Sequence, residues 1–407
     1  MKRALGDRAR ALVSAFEAGL LVAVAILCAC ALLPSPARAD DGGSLSSAHI
    51  LDAMTSTLRL ESVTTRVSGY DQYGHGFQAQ GGPTAISPGS ERLTVFEPQA
   101  EFVMSQGDRI THRLWVPADV VTNASPDAID VMSSASRHVE AGSIDWTTTY
   151  RANRELELAM RNGVHLENPF RSWASGLGVR RSFADDGTVV AGSVLEVFDW
   201  FDRFQIDGHR VDHTDRSGTT GSVSLTQILT PTTVANVNYG ITVLDGVLGN
   251  TWNSVPLASG GRGPELLPNR RIRHALVGRA SQWLPWNGAL RLYYRFYADD
   301  WGIVANTMEG QLLQRLTPEL YFGTYYRFHR QTGATFFTTL APLDAPLRVA
   351  DSDLAPLDSQ TIGGKVVMDF PMTGRVRALH LELECERYVR TNDLHATSVS
   401  WATGFRF

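Results

Sequence analysis

Apolar and polar side chains alternate one for one along most of this chain, from about residue 57 to its last residue. In 290–297, Leu290, Leu292, Tyr294 and Phe296 fall on one face, and Arg291, Tyr293, Arg295 and Tyr297 on the other. In 319–329, Leu320, Phe322, Tyr326 and Phe328 oppose Glu319, Tyr321, Tyr325, Arg327 and His329. In 378–387, Leu379, Leu381, Leu383 and Cys385 oppose His380, Glu382, Glu384 and Glu386. A period of two belongs to the β-strand; a helix would scatter these charges around its circumference.

The pattern predicts sixteen strands. The first eight are 57–70, 91–105, 109–122, 142–150, 155–165, 171–183, 188–199 and 219–230. The second eight are 233–245, 272–284, 288–298, 303–316, 319–329, 360–370, 375–389 and 395–407. Fourteen is the competing count, since 142–150 and 188–199 alternate least cleanly. Short links such as 106–108, 184–187, 231–232 and 285–287 separate the strands in turn with long polar ones. The long links are roughly 71–90, 123–141, 200–218, 246–271 and 330–359, with 165–170, 299–302 and 390–394 as abbreviated members.

An even set of strands of about 9–11 residues, with short and long links in alternation, is the pattern of a transmembrane barrel. The expected fold class is therefore all-β: an antiparallel up-and-down barrel over 57–407, both termini periplasmic. Lipid offers no partner to a backbone N–H or C=O, and a closed sheet leaves none unpaired. An Arg on the lipid face at the bilayer midplane costs about 2–4 kcal/mol. Arg291, Arg295, Arg327, Glu382, Glu384 and Glu386 are accordingly placed on the lumen face. Trp283, Trp286 and Trp301 stand near strand ends, where interfacial aromatic girdles form. Val399, Trp401, Thr403, Phe405 and Phe407 make one face of the last strand; Trp401, Phe405 and Phe407 read as the signal recognised by barrel assembly machinery. A soluble sandwich would also alternate; a propeller would show a blade-length repeat, and none is present.

The N-terminus reads as an address. Lys2, Arg3, Arg8 and Arg10 precede the apolar run 19–33, and Ala37-Arg-Ala39 offers a cleavage site after Pro34 and Pro36. Residues 1–39 are expected to be a signal peptide and 40–56 a short periplasmic segment. A weaker alternative is a lipoprotein, from Leu27-Cys-Ala-Cys30. Removing 1–39 takes five basic and two acidic residues from totals of 37 and 42, so the net charge moves from −5 to −8. Two of the three cysteines leave as well, so Cys385 has no partner for an internal disulfide. No apolar run of 18 residues follows Leu33, so any membrane crossing is made by strands.

Composition narrows the function classes. The charged fraction is 19%, against about 25% in soluble domains. There is no basic excess for nucleic acid. No Gly-x-Ser-x-Gly, His-Glu-x-x-His, Cys-x-x-Cys, phosphate loop, dinucleotide fingerprint or haem attachment site is found, which argues against an enzyme and implies no cofactor. Asp207, His209, Asp212, His213 and Asp215, in an expected outer loop, are weak candidates for a divalent cation, with a solvated loop as the plainer reading. Asp299-Asp300 at the outer rim suits pairing with a rim Arg better than a cation bridging lipopolysaccharide. The small polar segment 123–136 is either a loop folded into the lumen or an exposed one.

Three stretches carry a family resemblance. The first, 274–301, opens His274-Ala-Leu-Val-Gly-Arg-Ala and closes Tyr297-Ala-Asp-Asp-Trp301; the others are Tyr326-Arg-Phe-His-Arg-Gln-Thr-Gly333 and 123–136. They resemble a bacterial family recorded as domain of unknown function 3570, over most of 57–407. The resemblance implies an outer-membrane barrel without established activity, found beside flavin-attaching and thioredoxin-like envelope proteins. It implies no catalytic residues. The expected surroundings are outer-membrane lipid, lipopolysaccharide and assembly machinery, with envelope redox proteins as partners. Three functions stay open: a pore or barrel component of an envelope transport or redox assembly, a barrel hydrolase, and a plugged structural or adhesion barrel.

Overall fold

The computed structural model describes residues 57–74, 92–124, 140–167, 169–204, 209–249, 254–391 and 393–407. The leader and periplasmic segment expected over 1–56, and nearly all of 123–136, lie outside these residues. Strands β1 (Leu58–Tyr73), β2 (Leu93–Gln106), β3 (Ile110–Ala124), β4 (Glu140–Arg151), β5 (Leu156–Leu166) and β6 (Phe170–Phe183) come first. Next are β7 (Thr188–Phe204), β8 (Arg210–Thr230), β9 (Thr233–Gly246) and the short pair β10 (Ser254–Pro256) and β11 (Arg262–Pro264). Then follow β12 (Arg270–Leu284), β13 (Gly288–Asp299), β14 (Val304–Arg315) and β15 (Leu320–Gln331). The chain ends in β16 (Leu357–Pro371), β17 (Ala378–Arg390) and β18 (His395–Arg406).

Sixteen of these strands form one closed antiparallel barrel in which each is bonded to its neighbour in sequence, apart from the β10–β11 hairpin between β9 and β12. The seam is β1 on β18, from Ser62 opposite Arg406 to Tyr73 opposite His395. Fifteen of the barrel strands match the segments read from alternation to within a few residues. The exception is β8: expected over 219–230, it begins at Arg210 and continues its hairpin with β7 well beyond the apolar band. Polar residues hide that extension, because a strand that stands clear of lipid has no need of an apolar face.

Short turns gather at one end of the barrel. Their backbones explain their sequences: Asn287 has φ 61° between β12 and β13, and Ala184, Asp185 and Asp186 have φ 52°, 51° and 66° between β6 and β7. Asp and Asn tolerate this left-handed region; Ala184 is the strained member.

Which face of the sheet looks inward follows from one observation. Side chains of strands from β6 round to β15 line a single cavity, which only the concave face permits. Val197, Thr242, Arg295 and Thr307 are among them, and alternation sets the remaining positions of each strand. Leu290, Leu292, Tyr294 and Phe296 are then outward and exposed, with Leu276, Met308 and Leu312 beside them. Glu196 is a carboxylate on the convex side, directly opposite Thr219, whose hydroxyl donates to its two oxygens at 2.7 and 2.9 Å.

Inside the barrel, a glycine makes room for an aromatic ring. Tyr325, Gly363 and Glu386 are opposite one another on β15, β16 and β17. The Tyr325 ring lies over Gly363, and its hydroxyl donates to the Glu386 carboxylate beyond. Any Cβ at 363 would overlap that ring. Gly363→Val is expected to destabilise the barrel by about 1–3 kcal/mol, the usual range for overpacking. The readout is a lower urea midpoint for refolded protein, with Gly363→Ala in between.

Candidate functional site: the outer half of the lumen

Two loops from one half of the barrel close over its outer mouth. Residues 254–269 and 332–356 are joined by bridges between Leu257 and Ala341 and between Leu266 and Arg348. Arg348 adds Nε to the Pro264 carbonyl at 3.0 Å and a second donor to the Leu343 carbonyl at 3.1 Å. Beneath them Trp301, Ile303, Ala334, Val349 and Leu354 form a small apolar core with Leu248, Leu267, Tyr297, Phe336 and Phe337 around it. Trp301, expected in an interfacial girdle, is instead buried in this core. Its indole N–H donates to the Arg270 carbonyl at 3.0 Å, and the Arg271 guanidinium sits 4.3 Å from its ring centroid. Trp283 and Trp286 are exposed.

A short 3-10 turn, Ser352–Leu354, reaches the barrel wall from the second loop. Arg390 holds it, donating to Asp353 at 2.8 Å and to the Ser352 hydroxyl at 2.8 Å. The Gln331 amide donates to the carbonyls of Asp353 and Ala355, both at 2.8 Å. Asp351 caps the turn by accepting from the Asp353 N–H at 2.9 Å. Burial pushes the Asp351 carboxyl up to about 7; the Asp353 charge adds to this, and the Asp353 N–H, Arg390 and Arg271 oppose it.

Between this turn and the wall lies a cavity of about 680 Å³. Arg216, Arg271, Arg273 and Arg295 all line it. Two of the four are neutralised: Arg216 by Asp199, and Arg271 by Asp299 at 2.9 Å, a pair whose side chains are 8% and 0% exposed. Among the described residues no carboxylate is within ion-pair distance of Arg273 or Arg295, and the buried Arg273 Nε has no hydrogen-bond partner.

Lower on the same hairpin, Arg279 and Arg291 share the inward face and contact only the side-chain oxygens of Asn236 at 3.4 Å and Gln311 at 3.5 Å, with Arg279 also 5.3 Å from the Tyr293 ring centroid. Strands β12 and β13 thus carry an inward column of arginines of which, among the described residues, only Arg271 is ion-paired with a carboxylate. Arg327, on β15, is paired with Glu309 on β14. Three strands further round than β14, Glu382 accepts from Arg66 at 2.7 Å, with Lys365 at 4.0 Å. Glu384 and Glu386 continue this acidic row along β17. Trp401 and Phe405 are exposed on the convex face of β18 with Val399.

Other residues singled out in the sequence do not come together. Asp212 and His213 are successive residues of β8, so their side chains leave opposite faces. Asp212 pairs with Arg203 at 2.7 Å and His213 with Asp202 at 3.0 Å. Asp207 lies outside the described residues, and among those described no group of three His, Cys, Asp or Glu is placed to hold a metal. Asp300 accepts from the Ile272 N–H at 2.9 Å.

One arrangement escaped motif reading. The Ser143 hydroxyl is 2.7 Å from His165 Nδ1, and Glu167 is 3.3 Å from His165 Nε2. Strand pairing creates it, because Ser143 is opposite His165 and Glu167 is two residues on. The same pairing yields Thr307, His329 and Gln331 at 2.9 and 3.2 Å.

A family model described as protein of unknown function (DUF3570) matches residues 136–399. Among curated proteins none matches. Solved structures share the barrel form at low identity. A bacterial polysaccharide outer membrane secretin aligns with TM-score 0.43 and 10% identity, covering 85% of this chain and 98% of its own. A BenF-like porin from Pseudomonas fluorescens Pf-5 aligns with TM-score 0.45 and 8% identity, covering 86% and 99%. OccK2 (OpdF) of Pseudomonas aeruginosa, in complex with glucuronate, aligns with TM-score 0.43 and 8% identity, covering 86% and 96%.

The Asp351 shift sets a pH dependence for the turn. A carboxyl whose folded pKa is raised contributes stability that is full below its unfolded value near 3.8 and is lost as pH rises through about 7. Residues 351–355 are expected to exchange backbone hydrogens more slowly at pH 5 than at pH 8, after correction for intrinsic rates. Asp351→Asn should flatten that difference.

Proposed function

The chain belongs to the DUF3570 family, and from that premise we propose that it is an outer-membrane pore passing small polar solutes, anions preferentially, through the barrel lumen. The observation that supports this is the arginine column. Arg273, Arg279, Arg291 and Arg295 face inward with no carboxylate in ion-pair distance among the described residues. An uncompensated guanidinium in a dry interior is prohibitive, so the column calls for water and mobile anions beside it. A barrel of sixteen strands is wide enough to hold an aqueous channel. Glu384 and Glu386 on β17 give the lumen a transverse field in which anions follow the β12–β13 side. On this reading the convex face is surrounded by outer-membrane lipid and lipopolysaccharide, and Trp401, Phe405 and Phe407 form the assembly signal. The envelope redox partners implied by the family resemblance belong to the same reading.

Planar-bilayer recordings of refolded protein test it. Discrete conductance with chloride favoured over potassium is the expected result, and a barrel that is ion-tight at all voltages overturns the pore. Replacing Arg279, Arg291 and Arg295 together by Gln should lower the chloride-to-potassium permeability ratio severalfold.

The Ser143–His165–Glu167 contact supports a second reading, a hydrolase whose nucleophile is Ser143 with His165 as base. The recurrence of the same geometry at Thr307–His329–Gln331, where no serine is present, weighs against it. A fluorophosphonate probe decides: labelling that Ser143→Ala abolishes would establish the hydrolase, and the expected outcome is no labelling.

A further inference from the structure

We propose that the cavity beneath the Ser352–Leu354 turn is a binding site for a small organic acid. Its carboxylate is held by Arg273 and Arg295, and its apolar body lies against Leu244, Leu267 and Trp301. The inference deepens the pore reading by naming a solute class for the outer half of the lumen.

The charges around the cavity leave a positive remainder. Asp199 and Asp299 neutralise Arg216 and Arg271, and Asp353 is taken by Arg390. Glu265 has its own partner, and both ring nitrogens of His329 are engaged by Thr307 and Gln331. Burial favours the uncharged form of Asp351. Arg273 and Arg295 remain without a counter-ion among the described residues, and the Arg273 Nε is a buried donor with nothing to donate to. Buried donors of this kind are usually satisfied, so an unpaired one beside a cavity marks the place of a missing acceptor. Guanidinium matches carboxylate in shape and charge, giving strong paired hydrogen bonds.

Part of the wall is apolar, with Leu267 and Trp301 from the loops and Val197 and Leu244 from strands β7 and β9. An inorganic anion would leave that surface wet and unused; an organic acid covers it. The volume of about 680 Å³ is that of a pocket for a small molecule.

The test is calorimetric titration of the full chain, refolded in detergent, with benzoate, inorganic phosphate and benzylammonium. Benzoate is expected to bind, with benzylammonium and phosphate at least tenfold weaker. Arg273→Gln and Arg295→Gln should each weaken benzoate about tenfold or more, as loss of a charge-assisted contact does. Arg273→Lys, which keeps the charge, should recover part of the loss and serves as the control for folding. Equal binding of benzylammonium, or benzoate affinity unchanged in both Gln variants, overturns the site; phosphate binding as tightly as benzoate overturns its organic character. No current is needed for this measurement, so it separates from the pore reading. A conducting barrel that ignores benzoate removes only the site, and an ion-tight barrel that binds benzoate removes only the pore.

Discussion

Every backbone N–H and C=O that enters lipid has to find its partner inside the protein, and the rest of this molecule follows from that demand. It forces the sheet to close, which here means β1 bonding to β18 across most of the sequence. Closure then divides every strand into two chemistries. One side must be apolar enough to meet hydrocarbon, so leucine, phenylalanine and tyrosine occupy alternate positions of β13. The other side is relieved of that duty, and arginines can stand there in a column. Glu196 shows how narrow the tolerance is: the outward carboxylate is almost covered by its neighbours and takes its hydrogen bond from the adjacent strand.

The same division explains why ion pairs and unpaired charges coexist in one lumen. Pairs such as Arg113 with Glu101, Arg161 with Asp145 and Arg327 with Glu309 join neighbouring strands and are partly exposed, so each adds little stability by itself. The buried pair Arg271–Asp299 is different. Its guanidinium sits against Trp301, so the charge beneath the small apolar core is neutralised.

The barrel was legible from alternation alone because its cause is local: each residue reports which side of the sheet it faces. What lipid excludes is enough to expect Arg291 and Glu382 on the inner face, without knowledge of any contact. The cap over the mouth has no such signature. Trp301 looked like a girdle residue because nothing near it in sequence says that Phe336 and Val349 will cover it. The extension of β8 was hidden for a related reason, since beyond the bilayer both faces of a hairpin may be polar. The unpaired state of Arg273 is a property of the whole lumen, and no window of sequence contains it. Likewise, Ser143 and His165 become neighbours only through the register of β4 and β5.

The stitching of the two mouth loops has a mechanical meaning. Pro264 and Arg348 are 84 residues apart along the chain, yet they share a hydrogen bond, and the bridges on either side bind their loops into one piece. Neither loop can swing alone without breaking the contacts of the other. The two loops therefore stand over the arginines as one joined cover, attached to the barrel at β9, β12, β15 and β16. A change in length in one loop would have to be matched in its companion, so the two are expected to vary together as a single inherited part.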